Sequence, residues 1–266
     1  MESDWATLAA MPAGKAPAGM NSNLIDPESR AWNVELTIGI TLGPAIILVA
    51  LRIYARLGLA RKLGVDDYIC GLAAASTVAY NGLVLSFLNK PGGGALGPHI
   101  WDVSVLKLLE YSWPAIVESL ILRISNTLIK LSLLTFYLRI FNPVPRVKWL
   151  IWIGLAAVVG FGVAALIGTL ILCTPPPGTT QNTGLPPQPS QHCNTEIPNW
   201  TTAGSIFSVV SDLLSRKRKA AVGSVFLIGL FACFAGITNL VIRFVKYLPT
   251  DQNDFTWNVI DTYITK

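Results

Sequence analysis

Long runs of apolar residues, separated by short polar segments, dominate this chain. The first run extends from Trp32 to Leu51, and its single charge, Glu35, lies near its start. Twenty helical residues at about 1.5 Å each cross a hydrocarbon core of about 30 Å. Five further runs follow, at 68–88, 115–141, 149–172, 200–214 and 220–242. This pattern predicts an all-α fold, a polytopic helical membrane bundle with about six spans.

Two of these runs carry irregular features. The run at 200–214 is short and contains Asp212, so it needs a thinner bilayer or support from neighbouring helices. Pro114 precedes the third run and predicts a kink or a new helix start, which places the membrane part at 115–141.

The segments outside the bundle are polar or rich in small residues. Residues 1–31 are rich in Pro, Gly, Ala and Ser, which predicts a flexible tail. The bundle is expected over 32–244, and 245–266 forms a C-terminal tail. The N-terminus lacks the charged-then-apolar order of a cleaved signal peptide, so we expect the first apolar run to direct insertion.

Composition supports a membrane protein and excludes other classes. Charged residues make up 13% of the chain, against about 25% in an average soluble domain. This deficit excludes a charge-rich disordered protein. It also argues against nucleic-acid binding despite the net charge of +5, because no large basic face can form. With two His and no CxxC pair, we expect no metal site.

The distribution of basic residues predicts the topology. Four Lys or Arg follow the first run, four follow the fifth, and three lie around the end of the third (Arg139, Arg146 and Lys148), whereas the Gly-rich loop after the second holds one and the loop after the fourth holds none. The positive-inside rule therefore places the basic loops in the cytoplasm and the N-terminus outside, in the plasma membrane or an endomembrane. The lipid bilayer is the first expected partner.

The four cysteines follow this topology. Cys70 and Cys233 fall within apolar runs, where they pack as small hydrophobic side chains. Cys173 and Cys193 bracket an outside loop, and that compartment is oxidising, so we expect a disulfide between them. The alternatives are two free thiols, or one that ties the loop to another segment.

Three polar groups are candidates for function. Asp66 and Asp67 open the second helix, where they can cap free N–H groups, pair with Arg52 or Arg56, or form a switching site for a partner. His99 lies in a Gly-rich outside loop, where a loop hydrogen bond is favoured over a metal or pH-sensing pair with His192.

The third helix carries Arg123, Asn126 and Lys130 on one face. Charge at membrane depth costs about 2.5–3.5 kcal/mol on insertion scales, so such groups face a bundle interior or a partner. One alternative is that Arg123 or Lys130 forms an internal ion pair, with Asp212 as a candidate counter-ion. The other is that this face binds a polar ligand or an ion. Snorkelling of Arg123 to the outer interface is a further alternative.

The order of several motifs resembles the fungal rhodopsin-domain integral membrane proteins, over roughly residues 30–250. The motifs are LRIYARLGLARKLGVDDYICG, a Gly-rich loop ending in His, IKLSLLTFYLRIF and a Cys-Pro loop closed by a second Cys. The residues that match are Arg52, Arg56, Gly64, Asp66, Asp67, Tyr68, Gly97, His99, Lys130, Ser132, Tyr137, Leu138, Arg139, Cys173, Cys193 and Asp212. The resemblance implies a seven-span fold. The family includes proteins that resemble G-protein-coupled receptors and membrane proteins encoded in secondary-metabolite gene clusters, so the resemblance implies a function of one of these kinds.

Ala95 replaces the first Gly of the family's Gly-x-Gly-x-His loop, and the chain departs from the pattern in two further places. After Asp212 the family continues its fifth helix, whereas here SDLL runs directly into SRKRK, and no seventh apolar run follows. The chain therefore looks truncated. A Schiff-base lysine would lie in the seventh helix, so we expect no retinal and no other cofactor.

Several functions are consistent with these observations. The first hypothesis is a receptor-like protein for an unknown small-molecule ligand, coupled to a cytoplasmic Gα subunit through the basic loops. The alternatives are a membrane enzyme or accessory protein of a secondary-metabolite pathway, and a truncated, non-functional gene model. A transporter is less favoured, because no inverted repeat is visible. No catalytic arrangement of Ser, His and Asp can be identified.

Overall fold

The computed structural model describes residues 2–17, 19–60, 63–89, 94–140 and 145–174, with nine single positions further along the chain: 190, 193, 203, 204, 206, 254, 256, 257 and 260. Five α-helices lie in the described part: α1 (Glu2–Ala10), α2 (Ala31–Ala55), α3 (Val65–Leu88), α4 (Val105–Ile140) and α5 (Pro145–Cys173). A short π-helix, Arg56–Ala60, follows α2, and a 3₁₀ turn, Ile100–Asp102, precedes α4. No strand occurs among these residues, which confirms the all-α prediction.

Four helices of the described part are long and apolar enough to cross a membrane. These segments are Ala31–Gly58, Val65–Leu88, Val105–Arg139 and Ile151–Cys173, and they contain most of the first four predicted runs. In the most apolar 18-residue stretch of each segment, only 6% to 22% of the residues are buried inside the protein. Apolar side chains on the outer surface of a helix suit a hydrocarbon solvent, so the chain is a multi-pass membrane protein.

The predicted spans 200–214 and 220–242 and the tail 245–266 lie almost entirely outside the described residues. The same holds for Asp212, the SRKRK segment and Cys233. These assignments stay predictions.

Of the two effects expected from Pro114, a kink or a new helix start, the new start does not occur. Pro114 lies inside α4, which continues from Val105 to Ile140 without a new start. Transmembrane helices tolerate an internal proline, because neighbouring groups can satisfy the carbonyl that the proline leaves unpaired. Pro145 is the first residue of α5, a position that proline favours because its missing N–H would have no partner there.

The described residues form two compact units. The first unit comprises residues 1–35, 87–113 and 172–266, and the second comprises 36–86 and 114–171.

The first unit contains the N-terminal segment and the loop between α3 and α4. The sequence predicts a flexible tail, whereas the structure has the helix α1 and backbone bridges from Pro12 to Ser104 and from Ser29 to Pro98. Gly97 adopts a positive φ of 109°, and a Cβ there would collide with Ser29. The composition of the tail could not predict these contacts, because their partners lie some 70 to 90 residues away in sequence.

The second unit is held together by close packing between helices. Thr77 of α3 and Ser125 of α4 share a 2.7 Å hydrogen bond between their hydroxyls, and Ser125 is buried. On the α4–α5 side, Gly162 lies against Thr127. Small residues allow such approach in membranes, where packing and interhelical hydrogen bonds replace the hydrophobic effect.

We expect Gly162→Ala to destabilise the second unit by about 1–3 kcal/mol, the usual cost of overpacking. The new Cβ would lie 2.7 Å from Oγ1 and 2.9 Å from Cγ2 of Thr127. Thr127 cannot turn away cheaply, because its hydroxyl donates to the Arg123 carbonyl at 2.8 Å and a β-branched side chain is stiff. The melting temperature of the detergent-purified protein measures the effect.

Gly160→Ala is the matched control, because a Cβ at Gly160 would meet nothing within 4 Å on the same helix. Equal melting temperatures for the two variants would contradict the proposed contact.

Candidate functional site, an arginine–aspartate cluster at three helix ends

Two aspartates at the start of α3 form the centre of the candidate site. Asp66 and Asp67 are each only 4% exposed. Asp67 accepts a hydrogen bond from the Gly64 amide at 3.0 Å, so its carboxylate caps an otherwise free backbone donor. Carboxylates in the first turn also interact favourably with the positive end of the helix dipole.

Arg52, near the C-terminal end of α2, binds both carboxylates at once. Its Nε donates to Asp67 Oδ1 at 3.0 Å and its terminal nitrogen to Asp66 Oδ2 at 2.8 Å. The planar guanidinium has several donors in a fixed fork, which suits it to bridge two acceptors. The guanidinium carbon of Arg52 also lies 5.2 Å from the centre of the Phe136 ring of α4. The face of this ring attracts the positive charge and helps to hold the guanidinium in place.

Arg56 lies in the π-helix after α2 and forms a second, looser layer of charge. Its nitrogens lie 3.6 Å from Asp66 Oδ2 and 3.5 Å from Asp67 Oδ2. These separations exceed good hydrogen-bond lengths, so the attraction is mainly Coulombic. Among the sequence alternatives for the two aspartates, capping and arginine pairing both occur.

A third arginine joins the cluster from the far end of α4. Arg139 donates to Asp66 Oδ1 at 3.3 Å, and its side chain is 47% exposed, compared with 28% for Arg52. Gly64 leaves room for this approach, since a Cβ at that position would collide with Asp66 and lie 2.9 Å from the terminal nitrogen of Arg139. The five charged residues are called the Arg–Asp cluster below.

Sequence reasoning identified these residues separately but not their arrangement. It paired the aspartates with Arg52 or Arg56, and it named Arg139 only as part of the third-helix motif. Arg139 is 73 residues from Asp66, and no local pattern connects them. Tyr68, the next residue of the same motif, is 64% exposed and lies outside the cluster's contacts.

The predicted polar face of α4 is less uniform than its spacing suggested. Arg123 and Lys130 are half-buried and each has an interaction partner, whereas Asn126 is exposed. The buried polar residues of this stretch are instead Ser125 and Ser132. A ligand or ion site on this face stays a prediction.

The predicted disulfide is confirmed. Cys173, the last residue of α5, is bonded to Cys193, and both residues are buried. Cys70 is a free cysteine within α3.

His99 of the first unit belongs to a stack of rings. It lies parallel to Trp101, with centroids 4.4 Å apart, and to Trp257 at 3.7 Å. Two rings cannot occupy the same face at these distances, so His99 lies between them. The guanidinium of Arg30 covers Trp257 at 4.3 Å.

Asp254 holds the histidine at the centre of this stack. It contacts His99 Nδ1 and accepts a hydrogen bond from the Ile100 amide at 2.9 Å. The favoured interpretation of His99 as a loop hydrogen-bonding residue therefore fits its contacts. His192 lies outside the described residues, and no group of three or more metal-ligating side chains occurs in the part that is described.

Comparison with known proteins gives the family. The fungal rhodopsin domain matches residues 51–265. The chain is 24% identical over 190 residues to the Polyenoic acids biosynthesis gene cluster protein Ba17b of Metarhizium anisopliae. That match covers 71% of this chain and 50% of the relative, so the chain spans about half the length of the curated relative that it matches.

No solved structure matches the chain. The family assignment therefore depends on the domain match, which covers the charged residues at the ends of α2, α3 and α4 and both disulfide cysteines. The chain belongs to the fungal rhodopsin domain family.

Proposed function

We propose that this protein is a receptor-like membrane protein that transmits a signal to a cytoplasmic Gα subunit through the Arg–Asp cluster. The supporting observation is that one buried pair of carboxylates binds arginines from the ends of α2 and α4. A shift of α4 would break the contact of Arg139 while Arg52 retained its own. An ion-pair network shared by separate helices can exist in two discrete states, with a given ion pair either formed or broken, and a switch requires such states.

The position of the cluster suits this role. The positive-inside rule predicts that the loops after the first and third runs lie in the cytoplasm. Arg139 has the most exposed side chain of the cluster's arginines. It is therefore the arginine that a partner could reach and draw away from Asp66.

The experiment measures coupling without a ligand, by a split reporter between the full chain and a fungal Gα subunit in cells. A partly exposed ion pair contributes about 1 kcal/mol at most, which corresponds to a shift of about five-fold in an equilibrium. Arg139→Gln should therefore raise the reporter signal measured without ligand by up to about five-fold. Lys148→Gln is the matched control, because Lys148 is a partly exposed cation on the same predicted side without a partner among the described residues.

The signal is normalised to surface expression, with an unrelated multi-pass protein as baseline. Wild-type and Arg139→Gln signals that both stay at this baseline would reject Gα coupling. An equal increase for the Lys148 variant would reject the specific role of the cluster.

A second candidate function follows from the relative of Metarhizium anisopliae, whose name places it in a biosynthesis gene cluster. We propose as the alternative that this chain is an enzyme or accessory protein of a secondary-metabolite pathway. Deletion of the gene, followed by metabolite profiling, should remove or redirect a product, and the wild-type gene should restore it. An unchanged profile would reject this alternative.

A further inference from the structure

We propose that His99 is the pH-sensitive part of a clasp between two distant segments of the first unit, and that acid tightens this clasp. The clasp consists of four residues: His99 and Trp101 of the loop before α4, and Asp254 and Trp257 of the C-terminal segment. His99 and Asp254 are 155 residues apart in sequence, yet both belong to the first unit. The clasp does not depend on the Gα coupling proposed above.

Two hydrogen bonds join the two sides of the clasp whatever the charge of His99. The Gly97 amide donates to the Thr256 carbonyl at 3.4 Å, and the Ile100 amide donates to Asp254 Oδ1 at 2.9 Å. Thr256 is fully buried. The segments therefore remain in contact when His99 is neutral, and a charge on His99 changes only how firmly they are held.

Protonation changes the contact between His99 and Asp254. Nδ1 of His99 contacts the second carboxylate oxygen of Asp254. A neutral imidazole can donate an ordinary hydrogen bond there, whereas an imidazolium forms a charge-assisted one, which is roughly twice as strong. Histidine is the side chain that ordinarily changes its charge between pH 5 and 8, and the side chain of His99 is 24% exposed, so protons from the solvent can reach it.

The rings on both sides of His99 attract the same positive charge. The imidazole is almost parallel to Trp101 and to Trp257, with centroids 4.4 Å and 3.7 Å away. The face of an indole ring carries negative potential and attracts a cation within about 6 Å of its centroid. A protonated His99 is therefore held more firmly between the two indoles than a neutral one, and Trp257 is held with it.

The charged side chains described around His99 are mainly acidic. Three carboxylates line the same depression as His99, a fourth contacts its ring, and one guanidinium lies over Trp257. In that order, these groups belong to Asp26, Glu28, Asp102, Asp254 and Arg30. The additional positive charge of a protonated imidazole therefore meets more attraction than repulsion, so the electrostatic surroundings also strengthen the clasp in acid.

The location of the clasp exposes it to changes in pH. The first unit also contains the Cys173–Cys193 disulfide, and disulfides persist on the oxidising side of a membrane. This supports an extracellular or lumenal position for the clasp. The cell exterior and the lumens of endomembranes differ in pH, so a histidine on that side can report the acidity of its compartment.

Hydrogen exchange measured by mass spectrometry tests the clasp in the full chain, held in phosphatidylcholine nanodiscs at pH 5.5 and pH 7.5. Peptides that contain the Gly97 and Ile100 amides report its opening, because both amides donate across the clasp. Each exchange rate is divided by that of a free peptide of the same sequence at the same pH, which removes the effect of pH on the exchange chemistry. Protection at pH 5.5 should exceed that at pH 7.5 by about two- to five-fold, the shift that a partly exposed ion pair produces.

Two substitutions remove the charge from either side of the contact. His99→Gln has a neutral side chain at both pH values, so its two protection values should be nearly equal. Asp254→Asn retains an acceptor for the Ile100 amide but removes the carboxylate charge, so its ratio should fall below that of the wild type. His192→Gln is the matched control, because His192 is the second of the two histidines in the chain, and its ratio should equal that of the wild type.

The intact Cys173–Cys193 bond and a single size-exclusion peak verify the fold of each variant. Equal protection of the wild type at the two pH values, or greater protection at pH 7.5, would overturn the proposal. So would a wild-type ratio in His99→Gln or in Asp254→Asn, or loss of the ratio in His192→Gln. Exchange is measured without Gα, so failure of the clasp and failure of the coupling assay are separate results.

Discussion

Asp66→Asn is expected to cause a large loss of stability, because this buried carboxylate is shared by three arginines. Its carboxylate receives Arg52 at 2.8 Å, Arg139 at 3.3 Å and the charge of Arg56 at 3.6 Å. Asparagine keeps the shape but removes the charge, which leaves three arginines facing one remaining carboxylate. Breaking a buried pair by removing one partner costs about 3–5 kcal/mol.

The melting temperature in detergent and the fraction of protein at the cell surface both report this loss. Arg139→Gln should cost no more than about 1 kcal/mol, because that arginine is half exposed and has one contact. The loss of stability in Arg52→Gln should lie between those of the Asp66 and Arg139 variants, since Arg52 binds both aspartates. Equal melting temperatures for the Asp66 and Arg139 variants would contradict the geometry described for the cluster.

Removal of the disulfide is the second large effect. Cys173→Ser combined with Cys193→Ser opens a loop closed over a sequence separation of 20, and the chain-entropy relation gives about 3 kcal/mol for a loop of this length. The loss should appear as a lower melting temperature, and reduction of the wild type should reproduce it.

Cys70→Ser is the matched control, because Cys70 is a free cysteine. Its melting temperature should change little, and reduction should still lower it. A wild type whose melting temperature does not respond to reduction would contradict the stabilising role of the disulfide.

The two effects arise in different units. The Arg–Asp cluster belongs to the second unit and the disulfide to the first. Mutational effects at sites without shared partners usually add within about 0.5 kcal/mol. We therefore expect Asp66→Asn and the double cysteine variant to act additively, which their combination would verify.

The apolar pattern was sufficient to predict the four long helices of the described part, α2 to α5, but not the short helix α1. The length of each run is set by the hydrocarbon thickness, and a lipid environment leaves a helix as the simplest way to satisfy the backbone. The sequence left the effect of Pro114 open between a kink and a new helix start. The effect of Pro114 depends on whether its surroundings satisfy the carbonyl that it leaves unpaired, and that information is absent from the local sequence.

The candidate site was predicted in part. Asp66 and Asp67 were recognisable because acidic residues favour helix starts, and Cys173 and Cys193 because they flank a loop on the oxidising side. The contacts of α1 and the following segment with the loop before α4 were not recognisable, since small and proline-rich segments look alike whether or not they have partners.

The sequence alone determined that this is a helical membrane protein, where its apolar helices lie and which residues carry the scarce charges. These properties depend on solvent transfer and on backbone hydrogen bonding, and both act over a few neighbouring residues. Only the tertiary structure decided that Arg52 binds both aspartates, that Arg139 reaches Asp66 from 73 residues away, and that His99 lies between two tryptophans. Such contacts depend on where separate segments are placed in space, because Coulombic attraction and stacking act between neighbours in three dimensions, whatever their separation in sequence.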